Sequence, residues 1–228
     1  FFRRGFWQWL LFVPVLHMLS SGQVEFFLWG LEREMRNNWR GAALGALITL
    51  KPQTAILLLS WHIVGWILGD RRTLLYWFGV TLFLWITPML WYPNWIADWL
   101  NAAPTYNLMA ASNSPGLFSL LRVVPSLWIA VAVVSLIIFI WGQFQSKEIA
   151  RASAVLASPL GLFYSTMALL GCAPAWLLTP LSLLSAGLSL ATKTFIPFIL
   201  LPLAVLGWQL YNRNKSFPVN HERCVSTH

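Results

Sequence analysis

The sequence predicts an all-α fold, a polytopic transmembrane helical bundle built with short helical hairpins. Two observations carry this. Of 228 residues, 58% are hydrophobic and 10% charged, and mean hydropathy is +0.65. A soluble domain carries about a quarter charged residues, so charge here is too sparse to cover a water-facing surface. Apolar runs also recur, over residues 74–90, 127–140, 177–191 and 195–210. A membrane helix needs roughly 17–20 such residues.

Charge gives the organisation. Fifteen Lys and Arg against seven Asp and Glu leave a net charge of +8. The basic residues stand in the breaks between apolar runs, at Arg3-Arg4, Arg33/Arg36/Arg40, Arg71-Arg72, Lys147/Arg151 and Arg213/Lys215. That is the positive-inside pattern of a multi-pass membrane protein, not a nucleic-acid footprint. Segments 6–19, 24–35, 41–50 and 54–68 alternate with these clusters, so they are expected to form two hairpins. Their tips are residues 20–23 and 51–53. At 1.5 Å per residue the legs reach roughly 15–24 Å, less than the roughly 30 Å hydrocarbon core. The tips are therefore expected to converge on one cavity open to the outside, because irregular backbone at membrane depth needs protein or water around it.

Segment 73–90 then crosses outward to Trp91-Tyr92-Pro93, an interface set. Residues 94–101 read as an amphipathic helix on the membrane surface, with Asp98 on its polar side. A long polar loop over 102–126 holds the turn signal Asn113-Ser114-Pro115-Gly116. Segment 127–140 returns. Breaks at Ser158-Pro159 and Ala173-Pro174 make another short hairpin and keep the basic tail on the inner side. The domains are residues 1–212, transmembrane, and 213–228, a polar cytoplasmic tail expected to be disordered. Gly41 and Gly45 have the small-xxx-small spacing that lets helices approach closely. The chain begins Phe1-Phe2 within an apolar stretch and reads as a piece of something longer.

Lys51 is the most informative single residue. It lies between two apolar runs and beside Pro52, which breaks the helix. An ionised Lys at mid-membrane costs about 2.5–3.5 kcal/mol, so such a group faces a polar cavity or an anion, or else snorkels to the interface. Gln23 and Glu25 follow Gly22 at the other tip, where Gln offers both donors and acceptors to a sugar or phosphate. His17 and His62 lie within helices and read as packing groups, and Tyr164 follows the Ser158-Pro159 break. Cys172 and Cys224 form no framework, and no metal-ligand spacing or phosphate loop is present in the sequence.

The stretch from Ser21-Gly22-Gln23 to Arg71-Arg72 resembles glycosyltransferase family 87, polyprenol-phosphate-mannose-dependent α-mannosyltransferases of the GT-C superfamily. A Gly-Gln pair opens a Leu-rich helix and a basic loop. Gly41-Ala42-Ala43-Leu44-Gly45 then leads into Lys51-Pro52, and an apolar helix into an Arg-Arg loop. Asn113-Ser114-Pro115-Gly116-Leu117 is similar to the family's Asn-Gln-Ser segment, and Ser158-Pro159 followed by Tyr164 to its Ser-Pro turn, without the His expected there. The resemblance covers most of residues 21–170. It implies a GT-C-like bundle that moves a sugar, mannose by analogy, from a polyprenyl-phosphate donor to a glycan or lipid acceptor at the extracytoplasmic face of a bacterial plasma membrane. It also implies Lys51, Gln23, Asn113 and Tyr164 as lipid-phosphate or sugar contacts, and no cofactor or metal. The family's catalytic acid would precede Phe1, so no catalytic residue is assigned. Partners are then the lipid-linked donor, the acceptor and membrane lipids, with no nucleic acid. A transporter or flippase, or a noncatalytic subunit of a membrane complex, remains the alternative from the residues themselves.

The charge pattern makes a topological prediction. Single-cysteine variants Arg71→Cys and Asn113→Cys should label from opposite sides of sealed vesicles. Labelling from the same side would overturn the assignment.

Overall fold

The computed structural model describes residues 11–21, 24–102, 114–159 and 163–215, and all regular structure among them is helical. Ten α-helices follow in order: α1 Val13–Ser21, α2 Glu25–Glu34, α3 Trp39–Ile48, α4 Pro52–Gly69, α5 Arg71–Ile86, α6 Trp95–Ala102, α7 Trp128–Gln143, α8 Lys147–Ala157, α9 Ala175–Thr192 and α10 Leu200–Lys215. Short 3-10 helices extend or precede several of them, at Thr87–Leu90, Leu117–Arg122, Pro125–Leu127, Phe163–Leu169 and Ile196–Ile199.

The polar breaks start helices by capping them. The Asn38 side chain accepts from Gly41 N at 3.0 Å to open α3. Asp70 accepts from Thr73 N at 3.1 Å and from the Thr73 hydroxyl at 2.7 Å to open α5. Those two hydrogen bonds hold the Asp70 carboxyl below its usual range. Ser146 opens α8 by accepting from Ile149 N. Each cap satisfies a first-turn N–H that has no partner within the helix. Pro52 stands at the first turn of α4, the one helical position where its missing N–H costs nothing, and Lys51 becomes the preceding cap residue.

Four stretches are long and apolar enough to cross a membrane: Pro52–Gly69, Arg71–Leu90, Pro125–Gln143 and Ala175–Thr192. Only 6% of the Arg71–Leu90 window is buried within the protein. Leu75, Phe78, Phe83, Leu90 and Trp91 all point outward. An apolar surface of that extent needs lipid to cover it, so the chain is a membrane protein. By contrast α2, α3 and α8 are only 10, 10 and 11 residues long. At 15–17 Å or so they cannot span. Helix α3 leads through a short turn into α4 and packs chiefly along α5, while α8 packs along α7 and against the Phe163–Leu169 turn.

The core lies where α1, α4, α8, α9, α10 and that turn meet, around Phe12, Leu57, Leu59, Val155, Met167, Leu169, Leu178 and Leu201. Helix α8 is buried from Ile149 through Ala157, which its run of Ala and Ser permits. A Cβ placed on Gly142 would stand 2.3 Å from the Ser153 Cβ, so α7 and α8 cross at near contact. The Gly41 and Gly45 spacing also serves close approach. A Cβ on Gly41 would meet the Arg36 carbonyl at 1.9 Å, and one on Gly45 the Trp77 ring at 3.1 Å.

One end of the bundle is basic. Trp61 Nε1 donates to the Gln145 carbonyl at 3.1 Å, and Arg213 donates to Gln145 Oε1 at 2.7 Å. The end of α10 therefore lies beside the α7–α8 turn and Lys147, as the break at Ser158 requires. At the far end, Trp85 Nε1 donates to Thr49 Oγ1 at 3.3 Å, placing the α3–α4 tip level with Trp85. Residues 86–90 continue beyond that level.

Two boundaries differ from expectation. Helix α10 runs through Lys215, so the first residues of the polar tail are helical, and residues 216–228 lie outside the described residues. The long loop is not a solvated excursion at its second end. Ser114, Ser119 and Leu121 are buried, and a Cβ on Gly116 would stand 2.3 Å from the Leu156 carbonyl oxygen. Small residues let this segment tuck against the end of α8.

The α7–α8 crossing yields a stability prediction. Gly142→Ala should destabilise the protein by about 1–3 kcal/mol through overpacking. Ser153→Gly removes the atoms it strikes, so it should recover much of that loss in the Gly142→Ala background while costing stability on its own. Thermal midpoints in detergent measure the coupling, and strictly additive effects would contradict the contact.

Candidate functional site at the hairpin tips

The start of α2 and the start of α4 meet through one ion pair. Lys51 Nζ, at the start of α4, donates to Glu25 Oε1, in the first turn of α2. The Glu25 side chain is only 2% exposed and Lys51 17%. The second Glu25 oxygen is buried and accepts no hydrogen bond among the described residues. So is the hydroxyl of Thr54, one turn into α4 from Lys51. The site is thus a recessed cation backed by a sealed carboxylate. A buried pair of this kind holds its two elements together chiefly because either charge alone would be costly.

Of the residues predicted to line a site, Lys51 is where the sequence placed it, at a Pro turn. Gln23 and Asn113 lie outside the described residues. Tyr164 falls within the 3-10 helix Phe163–Leu169, and its side chain also lies outside the description. Asp98 is exposed and accepts a hydrogen bond from the Tyr92 hydroxyl.

A second cluster was not anticipated. Glu32, with no exposed surface, accepts from His62 Nε2 at 2.8 Å and pairs with both Lys147 and Arg151. One carboxylate therefore ties α2 to α4 and to α8. His62, expected to be a packing group, is a polar partner in it. Glu32 stands outside the four spanning stretches. Burial alone would raise its carboxyl, but the His62 hydrogen bond and the Arg151 and Lys147 charges bring it down to about 2. Its stabilisation is therefore complete above the ordinary carboxylate range near 4.5 and is lost as pH falls toward 2.

The two acids were legible in principle. Glu25 and Glu32 are seven residues apart, two helical turns, so they share one face of α2 about 10.5 Å apart. Lys147 and Arg151 are four apart and share one face of α8. Between the clusters stand Leu28, Ala55, Leu58 and Leu59, all buried. The two charged sites are separate, with an apolar layer between them.

Other features carry less chemistry. Cys172 is fully buried, and burial pushes its thiol up to about 11 although Arg151 pulls it down, so it is a poor nucleophile. A groove of about 380 Å³ opens at the basic end between the α7–α8 turn and α10, bounded by Gln145, Ser146, Gln209 and Arg213. None of the sequence-predicted site residues lines it. Among the described residues no group of His, Cys, Asp or Glu has metal-binding geometry.

The Glu32 cluster gives a prediction. Glu32→Gln leaves Lys147 and Arg151 without their counter-charge and should destabilise the fold by about 3–5 kcal/mol, read as a lower thermal midpoint or loss of monodisperse protein. An unchanged midpoint would contradict its role as the tie between α2, α4 and α8. No protein-family model matches this chain, and no curated protein or solved structure matches it.

Proposed function

We propose that the chain belongs to a membrane glycosyltransferase of GT-C type that moves a sugar, by family analogy mannose, from a polyprenyl-phosphate donor to an acceptor. The observation that carries this reading is Lys51: a mostly buried cation at a Pro turn, paired with a buried carboxylate at the end opposite the basic clusters. The positive-inside bias makes that end extracytoplasmic. A lipid-phosphate donor keeps its chain in the bilayer and its phosphate near that face. An ammonium at the recessed tip would meet the phosphate and stabilise the charge that develops on it as the sugar leaves. A carboxylate acting as general base would take the acceptor's proton. The resemblance around Gly22-Gln23, Gly41–Gly45 and Lys51-Pro52 supports the same reading.

The Glu25 pairing refines the role of Lys51. The Glu25 carboxylate holds the ammonium at the start of α4, at the position where the proposal needs it. Sugar transfer from a lipid-linked donor should fall by about two orders of magnitude in Lys51→Met, in line with removing one electrostatic stabiliser, and be partly retained in Lys51→Arg. The assay uses membranes carrying the full-length product of the gene, with protein level measured in parallel. Equal transfer by the native protein and Lys51→Met would remove the phosphate role.

A further inference from the structure

We propose that the groove between the α7–α8 turn and α10 is a binding site for the headgroup of an anionic membrane phospholipid, with Arg213 as its phosphate contact. The site lies at the basic end and is independent of the sugar-transfer reading at Lys51. Three observations carry it. The first is the cavity itself, about 380 Å³, which is within the range of sites that hold small molecules. The second is its lining. Phe144 and Ile149 give it an apolar side, and Gln145, Ser146, Gln209 and Arg213 a polar one. Among the described residues no acid lines it, and Glu148, on α8, is not part of its wall. Arg213 is exposed and donates to Gln145 Oε1 at 2.7 Å, a neutral partner that leaves its positive charge uncancelled. The third is depth. Pro125–Gln143 is one of the stretches able to cross a membrane, and Phe144 follows it directly. Leu136, Ile137 and Ile140 on α7, and Leu203 and Leu210 on α10, point outward. The groove therefore opens where two lipid-facing helices end, level with the exposed Trp141 and Tyr211, residue types that mark the headgroup region.

Position and charge together select the occupant. Lipid covers the outward faces of α7 and α10, so a phospholipid whose chains lie along them brings its headgroup to the groove without leaving the bilayer. The positive-inside bias makes this end cytoplasmic, and the anionic lipids of that leaflet give its surface a negative potential. A guanidinium carries five N–H donors in a planar fork that matches phosphate oxygens. One bond goes to Gln145, and a phosphate diester takes others on the open side. The walls are set before a ligand arrives. The Gln145 carbonyl accepts from Trp61 on α4 at 3.1 Å, and the Gln209 amide donates to the Cys172 carbonyl. A site held in this way loses little conformational freedom on binding. Arg72 makes the contrast at the same end. It too is exposed and has a neutral partner, the Tyr76 hydroxyl at 3.2 Å, but it does not line this groove.

The test is native mass spectrometry of the full-length protein, delipidated in detergent and titrated with phosphatidylglycerol or with phosphatidylcholine of the same chains. The native protein should bind its first phosphatidylglycerol about fivefold more tightly than phosphatidylcholine, the scale of one cation facing an anionic headgroup. Arg213→Gln should abolish that preference. Arg213→Lys keeps the charge and should keep most of it. Arg72→Gln removes the same charge outside the groove and should leave the preference in place. Equal binding of the two lipids by the native protein overturns the proposal without any variant. Equal losses in Arg213→Gln and Arg72→Gln would mean diffuse attraction to the basic end and would overturn the groove as the site. Displacement of phosphatidylglycerol by millimolar inorganic phosphate would make this a small-anion site and overturn the lipid assignment.

Discussion

A buried carboxylate must find positive charge or donors within the protein, and α2 carries two of them. Glu25 and Glu32 lie on one face of a ten-residue helix, and each is almost completely removed from solvent. A helix of that length neither spans a bilayer nor holds its own place by propensity. Its position follows from satisfying the two acids. Glu32 draws in His62 from α4 and Lys147 and Arg151 from α8. Glu25 draws in Lys51 from the tip of the next hairpin. The short legs of the bundle are thereby registered against the long α4. The apolar layer of Leu28, Ala55, Leu58 and Leu59 between the two clusters keeps each local to its own end.

The registration has a consequence for the far end. Helix α5 and its 3-10 extension run past the α3–α4 tip, so Lys51 is recessed and not at the surface. A snorkelling Lys would extend toward water and leave its stem on apolar surface. Here the ammonium instead turns to a buried acid on a different hairpin. Holding a charge pair in such a place costs desolvation, and in membrane segments retained charges of this kind mark ligand or ion sites. The Glu32 cluster differs, because His62 and two cations surround one carboxylate on several sides. That cluster reads as a structural tie, and the pair at the tips is the one assigned to a ligand in the proposed function.

Much of the fold was legible in the sequence for identifiable reasons. Apolar runs gave the helices, and in the breaks where charge had pointed to turns Asn38, Asp70 and Ser146 open the following helices as caps. Pro52 located the tip, and Ser158-Pro159 located the third hairpin. The Glu32 cluster was not read because Lys147 and Arg151 also satisfy the positive-inside pattern, and a charge explained by topology invites no second question. Their spacing of four in a run of Ala and Ser on α8 distinguishes them, since a helix that small-faced is buried on every side. His62 was taken as a packing residue for want of a partner, and that partner is thirty residues away. The burial of the end of the long loop was not read because Ser114 and Gly116 register as turn residues, whereas their smallness also admits them beside α8. The placement of Gln23, Asn113 and the Tyr164 side chain lies outside the described residues.

The register of α2 against α4 depends on Glu25 and Lys51 meeting, and a charge exchange addresses that contact directly. Glu25→Lys and Lys51→Glu would each place two like charges together in a recess and should each lower the thermal midpoint of the detergent-solubilised protein sharply. The double exchange restores opposite charges, so it should recover most of the midpoint lost by either single variant. A double variant no more stable than the sum of its single effects would mean that the two side chains do not interact, and the convergence of the hairpin tips would fall with them.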